Sequence, residues 1–137
     1  MTVLHAWYDV RKHDAEVLDG VEATDEFLTR LAVADDPVMV ALFRADDLEN
    51  LPQPIELLVG IGGGPDVGIA QCSDDDGIWV SSAPEDSGWD AVSYSYMGTG
   101  HDFPNNAPIP LPQIRAAVHE FAATGNRPET IAWQQLR

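Results

Sequence analysis

Lysine and arginine are scarce in this sequence: there are seven, against 23 aspartates and glutamates in 137 residues, giving a formal net charge of −16. Such a surface repels nucleic acid and anionic membranes and attracts basic partners. The deficit is uneven. Residues 1–102 hold 21 of the acids, and only Glu120 and Glu129 follow. Acidity also serves solubility or a high-salt habitat, so charge alone does not select a function. Cysteine is nearly absent too. Cys72 is the only one, which excludes an internal disulfide and predicts a reducing compartment, the cytoplasm. The first residues carry no basic stretch leading into an apolar one, so no secretory leader is expected. No run approaches the roughly 18 apolar residues that a membrane span needs.

What is present fits a single domain over residues 1–137. Apolar residues make up 45% of the chain, enough for a hydrophobic core without a metal or disulfide staple. Residues 2–9 read as a strand of uncertain register and residues 10–21 as a connection. Thr24 reads as an N-cap with Asp25 and Glu26 in the first helical turn, before Phe27, Leu28, Leu31 and Ala32 at helical spacing. Residues 38–43, 55–61, 67–72 and 78–80 read as strands. The last three are joined by the turn signals Gly62-Gly63-Gly64-Pro65-Asp66 and Asp74-Asp75-Asp76-Gly77, which predicts an antiparallel meander. Residues 92–97 suggest a further strand, and the prolines and glycines of 98–112 a long irregular loop.

Pro112 then opens a helix with Ile114, Ala117, Val118 and Phe121 on one face. Gly125 sits where a positive φ belongs and Pro128 follows; residues 131–135 suggest a last strand. The expected class is α+β, an antiparallel sheet of about six to seven strands with two helices packed on it.

The motifs that suggest chemistry mostly fail on inspection. Gly60-Ile61-Gly62-Gly63-Gly64 lacks the lysine of a phosphate loop and is followed by a β-like run rather than a helix. Asp74-Asp75-Asp76 begins like a calcium loop, but Trp79 occupies the position that must be glycine. His5, His13, His101 and His119 offer no i, i+4 pair, and one cysteine leaves few zinc ligand sets. No serine lies in a nucleophile elbow. The expectation is therefore no enzyme, no metal and no cofactor.

The tryptophans are more informative. Trp7, Trp79 and Trp133 read as core. Trp89, inside Pro84-Glu85-Asp86-Ser87-Gly88-Trp89-Asp90, has carboxylates on both sides and suits contact with arginine or lysine.

Tyr94, Tyr96, Gly98, Gly100, Phe103-Pro104, Pro112, Arg115-Ala116-Ala117-Val118, Phe121, Thr124-Gly125-Asn126-Arg127-Pro128 and Trp133-Gln134 form a recognisable series. Upstream, Glu56-Leu57-Leu58-Val59-Gly60-Ile61 and Gly77-Ile78-Trp79 fit the same layout. The series resembles the first-numbered immunity family of bacterial polymorphic toxin systems, over residues 56–135; residues 1–55 add little. That resemblance implies an α+β antitoxin whose partner is a toxin of the nucleic-acid deaminase class.

A deaminase acting on DNA or RNA needs a positively charged groove, and an acidic protein is suited to cover it. The expected contact residues lie in the acidic loops: Asp46, Asp47 and Glu49; Asp74, Asp75 and Asp76; Glu85, Asp86, Trp89 and Asp90; and His101 with Asp102. Nucleic acid and membranes are not expected partners, and self-association stays open. The alternatives are an acidic nucleic-acid mimic that inhibits another basic protein, and a small enzyme or ligand-binding domain using the glycine-rich turn and His101.

Overall fold

The computed structural model describes residues 3–7, 16–33, 38–44, 55–61, 67–74, 77–83, 92–96, 99–103 and 106–136. Among them are ten strands, β1 (Val3–Trp7), β2 (Glu16–Asp19), β3 (Val38–Arg44), β4 (Glu56–Ile61), β5 (Val67–Asp74), β6 (Gly77–Ser81), β7 (Val92–Tyr96), β8 (Thr99–Phe103), β9 (Ile109–Pro110) and β10 (Trp133–Leu136), and two helices, α1 (Gly20–Ala32) and α2 (Leu111–Thr124). Seven strands form one continuous antiparallel path in the order β10-β6-β5-β4-β3-β1-β2. The hairpin β7–β8 joins β3 through a single parallel pair, Val38 with Ser95, and β9 joins the first residues of β5. The α+β expectation holds, and β4, β5 and β6 form the expected meander.

Alternation along each strand sorts the side chains onto two faces. Leu4, Ala6, Leu18, Val40, Leu42, Leu57, Val59, Ile61, Ala70 and Cys72 are buried against the helices, which contribute Phe27, Leu28 and Leu31 from α1 and Ile114, Ala117, Val118 and Phe121 from α2. Burying a large apolar side chain such as Phe27 or Phe121 stabilises by about 1.5–3 kcal/mol. The helix spacing read from the sequence is the one observed. Gly125 ends α2 with φ 73°, its N–H bonded to the carbonyl of Phe121. Gly68 lets the layers meet: a Cβ there would lie 2.6 Å from the Gly60 carbonyl oxygen and 3.3 Å from Ile114 Cγ1. On the opposite face Met39, Ile69, Val80, Phe103 and Ala107 form a second buried cluster, with Leu58 against it.

Three local expectations are corrected. Residues 10–21 contain a strand, β2, and α1 begins at Gly20. Thr24 is therefore not an N-cap; it lies inside α1 and donates its hydroxyl back to the Gly20 carbonyl at 2.8 Å. The 98–112 stretch is not one irregular loop, since it contains β8, β9 and the start of α2. Thr99-Gly100-His101-Asp102-Phe103 has little strand propensity of its own, and its pairing with the Tyr-rich β7 imposes the extended form.

Two polar side chains close gaps in this architecture. Ala70 pairs with Val59 of β4, but on its other side, between β6 and β9, no described strand partner faces it, and Ser81 supplies one. Its fully buried Oγ accepts the Ala70 N–H at 3.0 Å and donates to the Ala107 carbonyl at 2.7 Å. Between the helices, Arg115 reaches the Asp25 carbonyl, the Asp25 carboxylate and the Thr29 hydroxyl, while His119 Nε2 lies 2.8 Å from Asp25 Oδ1.

Candidate protein-binding site

The anchors of the acidic loops fall at the two ends of the sheet. β3 ends at Arg44 and β4 begins at Glu56; beside them β5 ends at Asp74 and pairs there with Gly77, the first residue of β6. The segments 45–54 and 75–76 thus connect strands at the same end of the sheet, where β2 also runs into α1. The segment 84–91 connects β6 to β7 from the opposite end.

Of the expected contact residues, Asp46, Asp47, Glu49, Asp75, Asp76, Glu85, Asp86, Trp89 and Asp90 lie outside the described residues. Asp74 is the last residue of β5; on β8, His101 pairs with Tyr94 and Asp102 with Ser93. For these three the description covers the backbone.

The sheet face turned away from the helices is sealed only in part. Phe103 and Ala107 bury Met39, Ile69 and Val80. Beyond that cluster, His5 and Trp7 of β1, Phe43 of β3, Glu56 and Leu58 of β4 and Ser73 of β5 are half-buried, and Ile78 of β6 is 40% exposed. The ladder puts them side by side: His5 opposite Phe43, Trp7 opposite Ala41, Ala41 opposite Leu58, and Glu56, Ser73 and Ile78 in one row. Trp7 meets Phe43 edge to face, with centroids 5.4 Å apart and planes at 81°, and the His5 ring lies 5.9 Å from Trp7.

The Glu56 carboxyl is held above its ordinary value of 4.5 because burial penalises the charged form. Sequence reasoning placed Trp7 in the core, weighed His5 only as a metal ligand, quoted Glu56 and Leu58 only within the family-like series, and put none of these or Phe43 at a binding surface. The available signal was the alternation of Leu4 and Ala6 with His5 and Trp7, whose register only the pairing of β1 with β3 resolves.

The other motif-bearing residues have structural work at the far edge. Trp133 packs on the main core and donates its indole N–H to the Pro128 carbonyl at 2.6 Å. Gln134 donates to the Ser81 carbonyl and to Asn106 Oδ1. Arg127 stacks over the half-buried Trp79, 4.0 Å from the ring centroid. The Thr-Gly-Asn-Arg-Pro and Trp-Gln stretches thus fasten β10 onto β6. Among the described residues no three His, Cys, Asp or Glu side chains are placed to hold a metal, and no helix is long and apolar enough to cross a membrane.

The model of the family described as immunity protein Imm1 matches residues 12–135. The chain belongs to the Imm1 family of immunity proteins. The Imm1 match runs from before β2 to within β10, so it takes in the N-terminal half that the sequence series left out. No curated protein matches the chain. Imm1 membership implies a cognate toxin as partner.

Proposed function

We propose that this Imm1 protein neutralises a cognate nucleic-acid deaminase toxin by covering the toxin's basic substrate-binding surface, and that it does so as a cytoplasmic binding protein without catalysis. The observation that supports this most is the distribution of charge. From residue 45 to residue 114 the chain has twelve carboxylates and no lysine or arginine. A deaminase that takes a base out of a nucleic acid must attract the phosphate backbone with cations. A protein offering carboxylates in place of phosphates competes for those cations, and the opposed potentials speed encounter.

The contact residues proposed are Asp46, Asp47, Glu49, Asp74, Asp75, Asp76, Glu85, Asp86, Trp89, Asp90, His101 and Asp102. The test pairs this protein with the toxin domain encoded beside its gene. Co-expression should restore growth of cells making the toxin, and the two should co-purify. Reversing charge at Asp75, Asp76, Glu85 and Asp86 together should slow association and weaken binding by about tenfold or more. Unchanged kinetics in that variant remove these segments from the interface; absence of any complex removes the deaminase reading.

A further inference from the structure

We infer that the half-open sheet face formed by His5, Trp7, Phe43, Leu58, Glu56 and Ile78 is the anchoring surface for a lysine- or arginine-bearing segment of the cognate toxin. The inference rests on the toxin-binding reading above and adds to it a surface on β1, β3, β4 and β6, outside the acidic loops. One side of the sheet is fully occupied by α1 and α2. Among the described residues, the other is closed over Met39, Ile69 and Val80 by Phe103 and Ala107, with Leu58 packed against that cluster. Past that cluster Ile78 is exposed, and His5, Trp7, Phe43, Glu56 and Leu58 are partly buried, an apolar and aromatic row that a partner can cover further.

Charge complementarity selects the occupant. β4, β5 and β6 belong to the stretch without a single lysine or arginine, and beside the exposed Ile78 the same row holds the partly buried Glu56 carboxyl. A second copy of this chain would set one such surface against another of the same sign. A cationic segment instead finds aromatic rings and a carboxylate together. The Trp7–Phe43 pair, fixed edge to face, offers ring faces to a guanidinium or ammonium group. Aromatic residues held rigidly in a sheet lose little conformational freedom on binding, which is why they dominate the energetics of interfaces. Burial already disfavours the Glu56 anion, and a cation from the partner would relieve that penalty.

The experiment compares three substitutions that each add one positive charge. Ile78→Arg and Val17→Arg alter exposed positions, 40% and 58% exposed, on this face and at its β2 edge; Val33→Arg alters a position 78% exposed at the end of α1, in the helical layer. Binding to a catalytically inactive form of the neighbouring toxin domain is measured by titration calorimetry, with circular dichroism to verify folding. The inference expects Ile78→Arg to raise Kd by about tenfold or more, Val17→Arg to raise it less, and Val33→Arg to leave it unchanged. Trp7→Leu, which keeps an apolar side chain, should weaken binding similarly to Ile78→Arg. Equal weakening by all three arginines would show that net charge alone matters and overturn the anchoring surface. No weakening by Ile78→Arg and Trp7→Leu in folded protein would overturn it too. Failure of the unaltered protein to bind removes the underlying reading, a result distinct from either.

Discussion

At the scale of single residues, Ser81 is where the fold is most exposed to a small change. Its hydroxyl stands in for a strand between β6 and β9, and it is fully buried. Ser81→Ala leaves the Ala70 N–H and the Ala107 carbonyl without that partner in an apolar setting, so it should cost about 1–3 kcal/mol in urea unfolding. Glu56 presents a pH-dependent case. Its folded-state pKa is raised above 4.5 by desolvation, so the folded protein holds this proton more tightly than the unfolded chain. Its contribution to stability is therefore full below the unfolded value and is lost as pH rises from there through the folded value. Glu56→Gln should flatten the fall in stability that sets in as pH rises above the ordinary value of 4.5, and raise stability at neutral pH, as read by urea unfolding at each pH. Neither role was legible in the sequence. A serine in an alternating strand looks like any solvent-facing serine until the gap it fills is known, and Glu56 looks like one of 23 carboxylates.

At the scale of elements, the two helices are joined through Asp25, which faces Arg115 and His119, one turn apart on α2. The groups are partly exposed, Asp25 42% and Arg115 28%, so screening limits what the ion pair contributes. A double-mutant cycle with Asp25→Ala and Arg115→Met should give a coupling of about 0.2–1 kcal/mol, and raised salt should reduce it. Arg115, one of seven basic residues in the chain, thus meets a carboxylate.

Helix α2 was legible almost completely, because Ile114, Ala117, Val118 and Phe121 repeat at the right interval and Gly125 and Pro128 stop it. The meander was legible because Gly- and Asp-rich turns separate three apolar runs. β2 and β8 were not. Glu16–Asp19 and Thr99–Phe103 hold few β-formers, and each is a strand because a neighbour offers a ladder. Pairing between strands is tertiary information that local propensity does not carry.

At the scale of the whole molecule, the sheet divides its labour between two faces. The helical face makes the core; the other is closed in part, and its strands β4, β5 and β6 hold no lysine or arginine. The slowed association expected of the variant reversed at Asp75, Asp76, Glu85 and Asp86 belongs here, because long-range steering depends on the summed field. The difference between that variant and the unaltered protein should shrink as salt rises towards about 0.5 M, where the screening length falls below the span of the charged surface.

The order of strands has one more consequence, for biosynthesis. β10 comes last of the ten strands along the chain yet pairs with β6, more than fifty residues earlier. Until β10 arrives, Ile78, Trp79 and Val80 present an unpaired strand border that could template association between nascent copies. In sequence, Asp74, Asp75 and Asp76 come just before that border, and charge next to an unpaired strand disfavours pairing between two copies.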